Sequence, residues 1–216
     1  MRLWISRSQP GAGRQAADLI AAGYEVLVAP VTGIESTENP LPQGVFQKVI
    51  FLSEHAVNHS ERLDFCAGAQ VYAVGQQTAR VLAERQIVAR TPRRASSEGL
   101  LEDVQSVAGM SFLIVAGEDG RKQVRDELLR CGGEVREYLC YRRVPLVVDL
   151  EARLPVDAIL ISSQDGFRHV ARLWFEFGGR ADVPVLAASR RIGDLSVDLG
   201  FSNMQVCAGA ASEDWI

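Results

Sequence analysis

The sequence predicts an α/β protein made of two doubly wound parallel-sheet domains. Short apolar runs of strand length alternate with amphipathic, helix-like stretches along all 216 residues, which is typical of parallel sheets with helices on both faces. The pattern also occurs twice, and two linker-like segments interrupt it. Hydrophobic residues make up 47% and charged residues 23% of the chain, enough for one large core or two smaller ones.

The candidate strands are eight apolar or β-branched runs, each of which is followed by turn residues or a helix-like stretch. In order, they are residues 3–6, 25–31, 48–53, 71–74, 111–116, 134–141, 157–163 and 183–189. The clearest helix-like segments between them are GRQAADLIAAG (13–23) and RKQVRDELLRCG (121–132).

The chain contains an internal repeat in the order A, B, A, B. In segment A, LWISRSQPGAGRQAADLIAAGYEV aligns without a gap on FLIVAGEDGRKQVRDELLRCGGEV, 109 residues later, so that Gly23 falls on Gly132. In segment B, residues 51–57 align on 161–167, and residues 71–86 align on 185–200. Such self-similarity indicates two related structural units.

Two segments between A and B are rich in proline, charge and turn residues, as linkers are. They are residues 31–42 and 142–155, and two linkers imply two crossings between domains. We therefore expect a discontinuous outer domain (1–33 and 147–216), an inserted domain (37–141) and linkers at 34–36 and 142–146. A single large α/β domain is the simpler alternative.

Bulk properties exclude several functional classes. The net charge is −4 and the 23 Lys and Arg residues are scattered, unlike the basic footprint of a nucleic-acid-binding protein. The first residues carry neither a signal peptide pattern nor a membrane-spanning run. The four cysteines are widely spaced without a C-x-x-C motif, which favours reduced thiols and a cytoplasmic location.

Familiar motifs for cofactors and nucleophiles are missing from the sequence. There is no P-loop and no nucleophile elbow, and PGAGR (10–14) lacks the Rossmann glycine pattern. His55 and His59 have the spacing of paired metal ligands on a helix, but HAVNH lacks the glutamate of a metalloprotease motif. We therefore expect solvated helix-face histidines and no metal.

The turns after the predicted strands carry small, hydroxyl-bearing and glycine residues, with several arginines nearby. These turns are SRSQPGAG, SEHA, GQQTA, AGEDGR, SSQDG and ASRRIG. Ligands of open parallel sheets bind beyond the carboxyl ends of the strands, where helix N-termini present free N–H groups. The turns predict a site for an anionic ligand held by backbone amides and guanidinium groups.

The turn GQQTA leaves two interpretations of Thr78 open. A strand ends and a helix begins at Gly75, so the Thr78 hydroxyl could cap its own helix. Alternatively, it could face a ligand together with the neutral donors Gln76 and Gln77.

Seven stretches occur in a characteristic order and spacing: Ser6-Arg7 after the opening strand, VIFLSEHAV, YAVGQQTA, SSEGLL, GEDGR, GGEVREYLCYRR and AILISSQDGF. Together they resemble the uroporphyrinogen-III synthase family over essentially the whole chain. The resemblance implies two domains joined by a two-stranded linker, with a cofactor-free active site in the cleft between them.

The resemblance also implies a reaction, the conversion of hydroxymethylbilane to uroporphyrinogen III. The family's enzymes remove water from this linear, carboxylate-rich tetrapyrrole, invert ring D through a spiro intermediate and close the macrocycle. Such a reaction needs orientation more than acid–base strength, in keeping with the missing motifs. We expect a monomer, with transient contact to hydroxymethylbilane synthase as its partner and no nucleic acid or membrane contact.

Individual site residues follow from the resemblance. Tyr141 matches the family tyrosine that assists departure of the hydroxyl group, either as a proton donor or by positioning, and Thr78 matches a cleft threonine. The implied substrate-binding residues are Arg7, Ser53, His55, Gly75, Ser97, Gly117, Arg121, Ser163 and Ser189. Each role has an alternative. Tyr141 could be a packed linker tyrosine, and Arg7 could form a surface ion pair. Ser53, Ser97, Gly117 and Ser163 could belong to helix caps.

Three positions depart from the family pattern, because Leu52 and Ile192 stand where family threonines occur and His55 stands where the family has an asparagine. Arg190 or Arg191 is a candidate carboxylate ligand in compensation for Ile192. Two other functions stay open on the sequence alone. One is a non-enzymatic two-domain binder of small anionic ligands, which would not need Tyr141, and the other is an inactive relative that keeps the fold.

Overall fold

The computed structural model describes residues 1–94, 97–104, 107–120, 122–149 and 155–209. Strands and helices alternate through most of the chain. In order, they are β1 (Arg2–Ile5), α1 (Gly11–Ala21), β2 (Glu25–Val28), β3 (Thr32–Ser36), β4 (Lys48–Phe51), α2 (Glu54–Asn58), a 3₁₀ turn (Asp64–Cys66), β5 (Gln70–Ala73), α3 (Gln76–Glu84), α4 (Ser97–Asp103), β6 (Ser111–Gly117), α5 (Gln123–Arg130), β7 (Glu134–Pro145), β8 (Ala158–Ile161), α6 (Gln164–Glu176), β9 (Val185–Ala187), α7 (Arg190–Gly193) and β10 (Met204–Val206).

The strands form two five-stranded sheets. The first has the order β10-β9-β8-β1-β2, and all its strand pairs are parallel. The second has the order β3-β7-β6-β4-β5, and it is parallel except at β3. The prediction of two doubly wound α/β sheets is confirmed. The two-stranded linker that the resemblance implies corresponds to β3 and the end of β7, although residues 32–36 were not among the candidate strands.

Two hydrogen bonds establish the direction of β3. The Leu146 N–H donates to the Val31 carbonyl at 3.0 Å, and the Thr37 N–H donates to the Cys140 carbonyl at 3.1 Å. Residue numbers rise from 31 to 37 on one strand while those of the partners fall from 146 to 140, so β3 and β7 run antiparallel. The pairing explains why β7 continues to Pro145, beyond the predicted end of that strand at residue 141.

The chain divides into two compact units. The first unit is Met1–Gly33 with Val144–Ile216, and the second unit is Ile34–Arg143. The two passages of the chain between units, at residues 33–34 and 143–144, therefore fall within β3 and β7. None of the helices in the described part of the chain is long and apolar enough to cross a membrane.

The repeat of segment A is visible in the backbone. Gly23 and Gly132 both have positive φ, 89° and 81°, a conformation that glycine adopts without the strain imposed by a side chain. Their N–H groups donate to equivalent carbonyls, Ile20 at 2.9 Å and Leu129 at 3.0 Å. The predicted offset of 109 residues is therefore the structural offset between the ends of α1 and α5.

Central strands bury both faces, as expected for parallel sheets covered by helices. Every residue of β4 and β8 is buried. The first unit has a core that includes Trp4, Phe167 and Trp174. The second unit has one cluster on each face of its sheet, one containing Phe51 and Tyr141 and the other containing Ile50 and Phe112.

Burial in the second unit has a pH consequence at Cys66. Desolvation, reinforced by the charge of Asp64, raises the pKa of this thiol from 9.0 to about 12. The unfolded thiol loses its proton near its ordinary pKa while the folded thiol keeps it. The contribution of Cys66 to stability is therefore complete below about pH 9 and is lost as the pH rises toward 12, at no more than about 1.4 kcal/mol per pH unit.

We expect Cys66→Ala to flatten the fall in unfolding free energy between pH 9 and pH 11. Urea unfolding at several pH values measures this slope, and only the slope matters because removal of the sulfur also changes packing. Cys131→Ala at an exposed cysteine is the control and should leave the slope as it is. Equal slopes in wild type and Cys66→Ala would contradict the expectation.

Candidate active site

Three neighbouring strands of the second sheet bring a polar cluster together. β4, β6 and β7 are adjacent, so that Ser53 after β4, Gly117 at the end of β6 and Tyr141 in β7 meet at one edge. The Tyr141 hydroxyl lies 3.0 Å from Ser53 Oγ, a hydrogen bond in which either group can donate. The structure therefore joins two residues that the sequence predicted separately, 88 positions apart.

A β-bulge in β7 turns Tyr141 toward this cluster. Ala116 pairs with Leu139, but Gly117 pairs with Tyr141, so the register skips Cys140. Consecutive residues of a regular strand point to opposite faces, and a bulge interrupts this alternation. As a result, Cys140 and Tyr141 both pack in the Phe51 cluster, whereas Leu139 packs against the cluster on the other face.

Gly117 provides the space for the tyrosine ring. A Cβ atom built at this position would lie 2.6 Å from Cε2 and Cζ of Tyr141, far inside van der Waals contact. The ring therefore lies directly against the backbone of Gly117. The Glu118 N–H donates to the Tyr141 carbonyl at 2.9 Å. The end of β6 therefore contacts both the side chain and the backbone of Tyr141.

Two histidines enclose the ring from α2. The His55 and His59 ring centroids lie 5.6 Å and 6.0 Å from that of Tyr141. Residues four apart share one face of a helix, and this face of α2 packs against β7. The prediction of solvated histidines is therefore wrong, since both are half-buried. Burial lowers the pKa of His59, which keeps its imidazole neutral at pH 7.

The tyrosine cluster is defined here as Tyr141, Ser53, His55, His59 and Gly117. Tyr141 is only 3% exposed, and the guanidinium carbon of Arg143 lies 5.8 Å from its ring centroid, within cation–π range. Within the described ranges, no group of three or more His, Cys, Asp or Glu side chains is arranged to hold a metal ion.

Ser53 has two functions at once. It is the N-cap of α2, and its Oγ accepts a hydrogen bond from the Ala56 N–H at 3.1 Å. The same oxygen contacts the Tyr141 hydroxyl. The helix-cap alternative and the site prediction are therefore compatible, because a hydroxyl has two lone pairs and one hydrogen to share.

Gly75 and Thr78 lie after the next strand, β5. Gly75 is the N-cap of α3, with an extended backbone at φ −157° and ψ 168°. Thr78 is the third residue of the helix and is 4% exposed. The interpretation of Thr78 as the cap of its own helix is therefore wrong. No hydrogen bond between the described residues joins Thr78 to the tyrosine cluster.

The predicted binding residues of the first unit also follow neighbouring strands. β1, β8 and β9 are adjacent, and Arg7, Ser163 and Ser189 lie in the turns after them. Ser163 Oγ accepts from the Gly166 N–H at 3.1 Å, repeating the geometry of Ser53 and Ala56. Arg7 is half-buried with its guanidinium against Gly11, where a Cβ would lie 2.8 Å from Nε.

Four positions singled out in the sequence remain: Ser97, Arg121, Ile192 and Leu52. Arg121 lies outside the described residues, as does the side chain of Ser97, whose backbone begins α4. Ile192 is 4% exposed and packs in the core of the first unit. Leu52 lines a cavity of about 180 Å³ with Gly117, Lys122 and Arg125.

Sequence reasoning missed Ser36, His59 and Arg143 as neighbours of Tyr141. The spacing of HAVNH carried a signal for His59, but the same spacing also suits a solvent-facing pair. Ser36 carried no signal, because its place depends on the pairing of β3 with a strand about 100 residues later.

Known proteins resemble this chain in sequence. The sequence model of one family, described as Uroporphyrinogen-III synthase HemD, matches residues 14–216. The uroporphyrinogen-III synthase of Escherichia coli (strain K12) is 26% identical over 182 residues, which covers 75% of this chain and 74% of that protein.

Solved structures show a similar fold. The uroporphyrinogen-III synthetase of Helicobacter pylori 26695 has a TM-score of 0.64 at 13% identity, over 99% of this chain and 94% of that one. A mutant uroporphyrinogen III synthase of the extremely thermophilic bacterium Thermus thermophilus has a TM-score of 0.57 at 19% identity, over 95% and 92%.

Proposed function

Since the chain belongs to the uroporphyrinogen-III synthase family, we propose that it converts hydroxymethylbilane to uroporphyrinogen III and that the tyrosine cluster carries the first chemical step. The observation that supports this role is the Tyr141 hydroxyl, held 3.0 Å from Ser53 Oγ. It belongs to a nearly buried side chain at the carboxyl edge of the sheet, where ligands of such folds bind.

The first step is loss of the substrate hydroxyl group. Tyr141 donates its proton as the C–O bond breaks, so that the bonding electron pair leaves with oxygen and the product is water. The lone pair of the adjacent pyrrole nitrogen replaces the lost bond, giving an azafulvenium cation that keeps its N–H and whose charge balances the Tyr141 phenolate. Ser53 holds the phenol during this step and can donate a hydrogen bond to the phenolate that forms.

The later steps need orientation. The substituted carbon of ring D attacks the azafulvenium cation to give the spiro intermediate. The older bond from this carbon to its bridge carbon then breaks, and the bridge carbon bonds to the other α-carbon of ring D, which closes the macrocycle. The proton released as the last pyrrole regains aromaticity returns to the Tyr141 phenolate, so that protons balance and only water is lost overall. Holding ring D in the attacking position is an effect of proximity, which can be worth several kcal/mol.

Recognition of the polyanionic substrate is assigned to the turns at the strand ends. Arg7, Ser163 and Ser189 in the first unit, and Gly75 and Gly117 in the second, offer guanidinium, hydroxyl and backbone N–H donors for carboxylates. Ser97 and Arg121 belong to the same proposal. Thr78, buried beside this edge, is proposed to contact substrate. We further propose a cytoplasmic monomer that receives hydroxymethylbilane from its synthase.

The test of this function is an isomer assay. Hydroxymethylbilane is generated by its synthase, this protein is added, and the oxidised porphyrins are separated into isomers I and III. We expect isomer III in proportion to the protein added, because spontaneous closure gives isomer I. Isomer I alone from a folded protein would reject the synthase function and leave a binder of anionic ligands.

Thr78→Ala is expected to lower kcat/KM at least fivefold and to cost about 1 kcal/mol of stability, as ordinary buried truncations do. The hydroxyl is not the cap of α3, so the helix loses no cap. Thr32→Ala, at another buried threonine, is the matched control and should cost similar stability without loss of activity. A Thr78→Ala variant that loses melting temperature but keeps kcat/KM would remove Thr78 from the site.

A further inference from the structure

His59 is held at two points, one on its backbone and one on its ring. It is the C-cap of α2, where its N–H donates to the His55 carbonyl at 2.9 Å. Its Nδ1 lies 2.9 Å from Ser36 Oγ, and Ser36 is the last residue of β3. The backbone of His59 is therefore tied to α2, and its imidazole is tied to the end of β3.

Both elements that hold His59, α2 and β3, lie next to Tyr141. β3 pairs with β7, the strand that carries Tyr141, and the His59 ring lies tilted by 39° against the tyrosine ring. Gly117 closes another side of the same ring. Together, these contacts pack the ring from His59 and from Gly117 while its hydroxyl lies 3.0 Å from Ser53 Oγ.

His59 is suited to act through packing rather than charge. Burial lowers its pKa, so the ring is neutral at pH 7, and a Ser36 hydroxyl can bond to either neutral tautomer. A cavity of about 300 Å³ lies beside it, and its charged or titratable lining groups are Glu38, Glu61, Arg62 and Tyr138. The tyrosine ring, Arg143 and His55 lie on the other side.

We propose that His59, fixed by Ser36, is a positioning residue for the proposed reaction, and that it keeps the Tyr141 phenol aligned on Ser53. This inference rests on the proposed function. It assigns no proton transfer to His59. Without the imidazole, the tyrosine ring would gain room to tilt away from Ser53, and the hydroxyl would spend less time in the donating position.

The test is a double-mutant cycle with the isomer assay as readout. His59→Ala should lower kcat about tenfold with KM changed less than twofold. Ser36→Ala, at an exposed residue where folding is not at risk, should lower kcat about threefold. His59→Phe restores a ring and should recover most of the loss. In a Tyr141→Phe background, His59→Ala should lower kcat less than twofold further.

The control is His169→Ala, at a half-buried histidine of α6 in the first unit, which should keep the wild-type kcat. If His59→Ala lowered kcat by the same factor with and without the Tyr141 hydroxyl, its role would be structural and the inference would be wrong. The inference would also fail if Tyr141→Phe had no effect on kcat. In both cases, isomer III formed by the wild-type protein would leave the proposed synthase activity standing, and only the second result would also remove Tyr141 as its proton donor.

Discussion

Tyr141→Phe is expected to lower kcat for isomer III formation at least tenfold and to leave the fold intact. The substitution keeps the ring that packs on Gly117 and between the histidines, and it removes only the hydroxyl that contacts Ser53. A positioned proton donor typically contributes 10²–10⁴-fold to a rate. Loss of one hydrogen bond between neutral groups costs about 1 kcal/mol of stability.

The isomer assay and thermal unfolding together check this expectation. Tyr138→Phe is the matched control, because Tyr138 lies on the same strand and is half-buried, but lines the neighbouring cavity. It should keep kcat within twofold. A Tyr141→Phe enzyme with wild-type kcat would exclude Tyr141 as the proton donor and would leave leaving-group departure to the substrate's own pyrrole nitrogen.

Gly117→Ala is expected to cost about 1–3 kcal/mol of unfolding free energy, the usual effect of overpacking, and to lower kcat more than tenfold. The new methyl group would lie 2.6 Å from two ring atoms of Tyr141, so the ring or the end of β6 must move. Either movement separates the phenol from Ser53. Urea unfolding and the isomer assay measure the two effects.

A cycle with Tyr141→Ala identifies the cause of the Gly117 effect. Once the ring is gone, Gly117→Ala should cost less than about 1 kcal/mol, because the methyl group then has space. Gly13→Ala is the control, since a Cβ there meets only the flexible Gln9 side chain at 3.1 Å. An equal cost of Gly117→Ala with and without the Tyr141 ring would show that the strain lies in the backbone of β6 instead.

Much of the fold could be predicted because the repeat carries local chemistry. Gly23 and Gly132 are needed where helices end in a left-handed turn, and Ser53 and Ser163 cap equivalent helices. Each of these glycines and serines can be recognised from the few residues around it. β3 and β10 were not predicted, since TGIES and MQV lack a clear alternating pattern and form strands only because a distant partner lies beside them.

The site was predictable in its parts but not in its assembly. Tyr141 and Ser53 were both identified, yet their hydrogen bond depends on the order of β4, β6 and β7 in the sheet. The bulge at Cys140 decides which face Tyr141 takes, and nothing in LCYRR indicates it. Ile192, which stands where the family has a threonine, packs in the apolar core of the first unit. An apolar side chain suits this position.

The split course of the first unit has a consequence for protein synthesis. β1 is almost wholly buried between β2 and β8, and β8 begins only at Ala158. While the ribosome makes the chain, β1 and β2 emerge first but lack their central neighbour. The second unit, continuous in sequence, can complete its sheet meanwhile. β1 is therefore an apolar segment that stays uncovered on one side until β8 has been made, and during that time it is accessible to chaperones.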